Sequence, residues 1–232
     1  ITQSVYSLDY ARELSQAALA ADVTVNMHIK LDTGMGRIGF AVRDDMDTAL
    51  AQVREATSLP GLQRGGVVTH FAVADSNLPA DIAYTHSQYE LFCEAIRQLA
   101  AMGVTFPLAH CCNSAAILAY PEMQMDIVRP GIILYGYRPS TDVTCDGLGG
   151  ALELKAVVSL VKPIKKGDDL SYGRIYTAPQ DMQVATLSVG YADGYQRALS
   201  NKGVVSVHGR PAPVVGRVCM DQSMVNLGPA TD

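Results

Sequence analysis

The chain of 232 residues has no tryptophan and only 6% aromatic residues, and it has no apolar run near the ~18 residues that a membrane-crossing helix needs. No charged-then-apolar leader opens it either, so a membrane partner is not expected. Basic runs are equally scarce. Lys165 and Lys166 form the longest, and with a net charge of -5 a nucleic-acid partner is not expected. The cysteines, Cys93, Cys111, Cys112, Cys145 and Cys219, form no C-x-x-C pair and have no histidine at zinc-like spacing. That pattern argues against a metal site and for reduced thiols in a cytoplasmic protein. A P-loop and a dinucleotide fingerprint are missing as well. So is a starting methionine: Ile1 falls in a strand-like stretch, and the chain reads as cut from something longer. These exclusions leave a small molecule as the expected partner.

What is present is an ordinary globular balance, 48% apolar and 18% charged, in a chain long enough to bury roughly 70% of its unfolded surface. Two regimes divide it. Strand-like and helix-like segments alternate to residue 138. The spacing predicts strands over 2–7, 23–31 and 62–69, a strand ending at His110, and strand pieces ending at Val128 and Leu134. Helices are predicted over 8–20 behind Ser7, over 44–56 and 81–102, and from Ser114 onward. Such alternation implies parallel pairing. A closed eight-fold barrel takes about 250 residues, so residues 1–138 read as a partial (β/α)8 TIM-type barrel or an open sheet. Residues 139–150 read as a glycine-rich linker. Short β-rich runs then follow at 152–161, 183–189, 203–207, 213–215 and 224–227, predicting an all-β domain over 151–232.

The densest cluster of chemistry is K-L-D-T-G-M-G-R-I-G-F at 30–40, where Lys30, Asp32 and Arg37 surround three glycines directly after a predicted strand. Glycines let a backbone approach a ligand, and Arg37 offers a rigid fork of donors. A charged turn capping a strand would read the same way. In parallel α/β folds, however, ligands gather at the carboxyl ends of strands, where Lys30, His70, Asn113 with Ser114, and Arg129 all fall. Ser114 at a helix start suits an anion such as phosphate, or is an ordinary N-cap. Gly131 could add a backbone contact, and Arg129, in an otherwise apolar run, demands a partner if buried. The β half carries S-Y-G-R-I-Y, G-Y-A-D-G-Y and G-R-V-C-M-D-Q, whose tyrosines could equally be packing residues.

Taken in order, K-L-D-T-G-M-G-R-I-G, T-H-F-A, C-N-S-A, V-R-P-G-I, S-Y-G, G-Y-A-D-G and G-R-V-C-M-D-Q resemble alanine racemase along essentially the whole chain. The resemblance implies a pyridoxal 5'-phosphate enzyme with a (β/α)8 barrel and a C-terminal β domain. It would interconvert L- and D-alanine by two-base proton transfer on a cofactor aldimine and supply D-alanine for the peptidoglycan cell wall. It implies that Arg129 donates to the cofactor's pyridine nitrogen and that Asn113, Ser114, Gly131 and Ile132 help hold the cofactor. Tyr172 would be the acid/base on the L-alanine side, with His70 linking it towards Arg129. Arg37 would meet both the cofactor's ring oxygen and the substrate carboxylate, Met220 and Tyr191 would meet the substrate, Lys30 would be a lysine often carbamylated, and Asp75, Tyr191 and Arg197 would line the entrance. Tyr172, Tyr191 and Met220 would act across a homodimer.

One departure matters most. The resemblance places the family's Schiff-base lysine in an early barrel strand, and none of the six lysines here stands in that motif, so this stretch alone is expected to be inactive. A serine or broad-spectrum racemase of the same fold, a related barrel decarboxylase of basic amino acids, and a non-catalytic dimerising remnant are the alternatives.

Overall fold

A computed structural model of the chain describes residues 1–229, which form two compact units, the first over Ile1–Leu152 and the second beginning at Glu153. In the first, β1 (Thr2–Val5), β2 (Val25–Lys30), β3 (Leu62–Val68) and β4 (Ala109–His110) lie side by side in chain order, every pair parallel. The crossovers are α1 (Leu8–Ala20), α2 (Met46–Ala56) and α3 (Pro79–Ala101), and α4 (Ser114–Ala119) follows β4. Ser7 caps α1 by accepting the Tyr10 N–H, Asp45 caps α2 by accepting from Thr48, and Pro79 starts α3 where its missing N–H costs nothing.

Side chains alternate across each strand, and the alternation sorts this sheet into a dry face and a polar face. Met27, Ile29 and Leu31 are fully buried and pack with Leu50, Phe92 and Leu99 from the helices. Each such side chain contributes about 1.5–3 kcal/mol by leaving water. His28 and Lys30 stand on the opposite face of β2, beside Ser4 of β1 and Val68 of β3. That polar face is where the chemistry collects.

One expectation needs correction here. No strand ends at Val128 or Leu134: residues 124–131, after α4 and a short 3-10 turn, run irregularly, and Ile132–Tyr135 is a 3-10 turn closed by Gly136 in the left-handed region. Pro130 offers no N–H to a sheet, and the Arg129 N–H goes to the Cys112 carbonyl. Residues 139–150, read as a linker, are folded onto the first unit. Val143 is buried, and Asp142 accepts the Asn77 N–H while its carbonyl accepts from the Asn77 amide.

The second unit is all β. An antiparallel sheet runs β11–β8–β5, from Ser223–Pro229, Met182–Leu187 and Val158–Ile164, beside the short pairs β6 (Asp169–Leu170) with β7 (Tyr176–Thr177) and β9 (Val204–Val207) with β10 (Arg210–Pro213). Its two small cores centre on Ala185, Val214 and Val225, and on Met182, Val184 and Leu170. The strand expected at 152–161 is displaced to Val158–Ile164. Pro163 does not stop it because β5 is an edge strand, where an absent N–H breaks no ladder.

Candidate active site

On the polar face of the first unit's sheet lies a cleft of about 310 Å3, lined among others by His28, Lys30, Arg37, His70, His110 and Arg129. Arg129 is its centre. Nη1 donates to His110 Nδ1 at 2.6 Å. Nη2, with two hydrogens for three acceptors, meets the Thr69 carbonyl at 2.8 Å, the Cys111 carbonyl at 3.0 Å and, most weakly, His70 Nδ1 at 3.3 Å. None of these acceptors is a carboxylate, so the guanidinium keeps its full positive charge in a partly buried place. Nε is left without a partner among the described residues.

The same contacts fix the histidines. A guanidinium only donates, so His70 and His110 must each present a bare Nδ1 and hold their hydrogen on Nε2. Burial, and next the Arg129 charge, push both imidazoles down to about 4, which keeps them neutral at physiological pH. His110 Nε2 lies 2.8 Å from His28 Nδ1, so the order continues one residue further.

Lys30 is nearly inaccessible, and its ammonium donates to the Leu31 carbonyl at 2.9 Å. Burial, opposed by Asp32 and reinforced by the charges of Arg129 and Arg37, brings it down to about 8. Asp32 itself accepts the Gly34 and Gly36 N–H groups and shapes the loop. Gly39 sits at a φ of 133°, and a side chain there would meet Lys30 and Asp32 backbone atoms at 2.9 and 2.7 Å, so this turn tolerates nothing larger. The loop presents Arg37 with its guanidinium exposed and free of hydrogen bonds or ion pairs among the described residues. Behind it, fully buried Gln88 of α3 accepts the Ala72 N–H at 2.9 Å and donates to the His70 carbonyl and Thr33 hydroxyl.

Ser114 is not the helix cap. Asn113 takes that place by accepting from Ala116, and its amide also reaches the Phe71 carbonyl. The Ser114 hydroxyl instead accepts the Gly131 N–H at 2.7 Å, joining two of the predicted cofactor contacts into one cradle next to half-exposed Ile132. Asp75 is not among the cleft-lining residues, and its carbonyl is taken by Ser140.

The remaining predicted residues belong to the second unit. Tyr172 opens a 3-10 turn and is 70% exposed, its carbonyl held by Arg217. Tyr191 lies under the Arg197 guanidinium at 6.0 Å. The Met220 carbonyl accepts the Ala192 N–H, whereas the Met220 N–H has no partner among the described residues. Sequence reasoning missed His28, His110 and Gln88. The alternation that puts His28 on the face of Lys30 was the one local signal available.

The family pattern described as "Alanine racemase, N-terminal domain" matches residues 1–139, and "Alanine racemase, C-terminal domain" matches 151–232. The alanine racemase of Desulforamulus reducens is 45% identical over 230 residues, covering 98% of this chain and 60% of that protein. An alanine racemase of Clostridium perfringens is 44% identical, with 98% and 58% covered. Among solved structures, the alanine racemase of Streptomyces coelicolor aligns over all of this chain and 61% of its own, with a TM-score of 0.88 at 34% identity. The Bacillus anthracis alanine racemase with bound L-Ala-P aligns at 0.84 and 34%, covering 100% and 58%. The chain thus spans about 60% of the length of the relatives it matches. The parallel sheet is part of a (β/α)8 barrel, the second unit is the β domain that follows it, and the chain belongs to the alanine racemase family.

Proposed function

We propose that the intact protein binds pyridoxal 5'-phosphate in the first unit's cleft and interconverts L- and D-alanine by removing and returning the α-proton. The observation that carries this reading is Arg129, a guanidinium held wholly by neutral acceptors with Nε–H to spare. The residues fit the cofactor's two polar ends. Arg129 would hold the pyridine nitrogen, and the Ser114 hydroxyl, its oxygen fixed by the Gly131 N–H and its own hydrogen free to donate, would hold the phosphate, with Gly131, Asn113 and Ile132 around it. Lys30, Arg37 and Arg129 make the cleft cationic, which suits a phosphate ester and an amino-acid carboxylate.

Bound there, the cofactor would supply an electron-withdrawing ring that makes the amino acid's α-hydrogen acidic. Arg129 keeps its own proton because a guanidinium is the last group to lose one, so it accepts none from the ring and gives none. His70, neutral and carrying its hydrogen on Nε2, can donate to a phenolate oxygen. In this reading that oxygen belongs to Tyr172, the acid/base on the L-alanine side, contributed with Tyr191 and Met220 by a second copy of the chain. A phenol releases its proton more easily where such a donor stabilises the anion. Arg37 and the Met220 N–H would bind the substrate carboxylate, and Asp75 and Arg197 would border the entrance. A homodimer is therefore part of the proposal.

The test is racemisation by the full-length protein with added pyridoxal 5'-phosphate, comparing L-alanine with L-serine, for the wild type and Tyr172→Phe. Alanine should be preferred. Tyr172→Phe should slow α-hydrogen exchange from L-alanine at least about 100-fold while cofactor binding persists. A wild type that binds cofactor but racemises neither amino acid defeats the reading, and a preference for serine defeats its choice of substrate.

A further inference from the structure

We propose that His28 is a positioning residue for Arg129, acting through His110 to keep a bare imidazole nitrogen against the guanidinium. The inference rests on the role given to Arg129 above. His110 Nδ1 accepts from Arg129 Nη1 at 2.6 Å, so neutral His110 carries its hydrogen on Nε2. That hydrogen needs an acceptor. His28 Nδ1, 2.8 Å away, is the one that meets it, and accepting there puts the His28 hydrogen on Nε2 in turn. The two rings lie with centroids 5.0 Å apart and tilted by 55°, an arrangement that suits an in-plane hydrogen bond rather than stacking. His110 is thus clamped on both nitrogens, and neither its flipped ring nor its other tautomer satisfies both neighbours.

The strand beside His28 is built around that ring. Opposite it in β3 stand Gly65 and Gly66, and the register slips at this point, with Met27 facing Arg64 and His28 facing Gly66. Consecutive glycines weaken a strand interior, and bulges are places where a side chain is re-aimed. The reason is steric. A Cβ on Gly66 would fall 2.8 Å from His28 Nε2 and 2.9 Å from the Leu108 carbonyl oxygen, and one on Gly65 3.2 Å from both the His28 ring and the Met27 carbonyl oxygen. Neither glycine has a positive φ, so conformational need does not explain them. The two glycines thus leave room for the His28 imidazole as well as for neighbouring carbonyls, and the ordered contact of that imidazole is with His110.

Other charged groups face this chain without competing for it. Lys30 and Arg37 share the cleft, His70 meets Arg129 on its other nitrogen, and the Asp126 carboxylate accepts the Ala109 N–H.

The experiment uses the full-length protein with nitrogen-labelled histidine, as wild type, His28→Leu and His28→Asn, the last keeping an acceptor near the position of Nδ1. Imidazole nitrogen resonances, recorded without cofactor, should show His110 as a single Nε2–H tautomer in the wild type and in His28→Asn, and as a mixture in His28→Leu. With cofactor, His28→Leu should lower kcat for alanine about ten-fold with KM little changed, the scale of one lost hydrogen bond, and His28→Asn should recover most of it. A single unchanged His110 tautomer in folded His28→Leu overturns the proposal. Equal impairment in both variants also overturns it, since ring volume rather than the acceptor would then matter. If the wild type fails to racemise alanine, the functional reading falls, and the tautomer measurement still decides the role of His28.

Discussion

Replacing Gln88 by Leu separates the frame of the site from its chemistry. Gln88 comes from α3, is fully buried, and joins both sides of the short bend at Phe71: its carbonyl oxygen accepts the Ala72 N–H at 2.9 Å and its amide donates to the His70 carbonyl at 3.2 Å. The third contact, to the Thr33 hydroxyl at 3.3 Å, is dispensable because that hydroxyl also pairs with Thr69 at 2.8 Å. Leucine nearly matches the volume, so the main cost is two backbone groups left without partners, about 1–3 kcal/mol each. Half-exposure of His70 and Ala72 and the gain from burying an apolar side chain reduce this. A net loss of about 2–3 kcal/mol is expected, a sizeable share of a typical stability of about 5–15 kcal/mol. Urea unfolding of the full-length protein should show a lower midpoint with an unchanged slope. A double-mutant cycle with Thr33→Val should give a coupling below about 0.5 kcal/mol. A Gln88→Leu protein within about 0.5 kcal/mol of wild type, or strong coupling to Thr33, would refute the assignment of the cost to the His70–Ala72 backbone.

Acid should weaken the first unit early. His70 and His110 fall from 6.5 to about 4 on folding, so the unfolded chain binds more protons; their contribution is complete above pH 6.5 and is lost as pH drops through 6.5 towards 4. Unfolding midpoints measured across that window should decline, and less so for His110→Gln; a flat profile contradicts the buried neutral pair. Lys30, brought to about 8 by burial, has a neutral fraction near physiological pH and should take up carbon dioxide as a carbamate, giving a carbamate resonance with isotope-labelled bicarbonate that Lys30→Arg abolishes. No such resonance up to pH 9, on the order of one unit above that value, would remove Lys30 from that role.

Local pattern carried the parts of the fold that depend on one stretch of chain. Alternation at Met27, Ile29 and Leu31 marks β2, and Ser7 and Asp45 mark helix starts, because burial and capping act between near neighbours. The same logic failed at Ile132–Tyr135, where an apolar run looks like a strand but has no sheet to join. Lys30 and His70 stood out because motif and strand-end position coincide, whereas Arg37, in the loop after β2, and Arg129, in an irregular stretch, stood out by motif alone. His28 did not, since its meaning lies in His110, 82 residues later, and in two glycines of a neighbouring strand. Gln88 was hidden for a related reason: a glutamine inside a helix looks like surface until its depth is known.

Arg129 is gripped chiefly by main chain: its guanidinium binds the Thr69 and Cys111 carbonyls, and its own N–H binds the Cys112 carbonyl. Carbonyl oxygens are the same whatever side chain they carry. Residues 111 and 112 can therefore drift among small apolar types without disturbing the arginine, and the adjacent thiols need no chemical role to be accounted for. A single-residue insertion or deletion between His110 and Cys112 would be another matter, because it would shift the Cys111 and Cys112 carbonyls relative to the end of β4. The site is in this sense insensitive to spelling and sensitive to length.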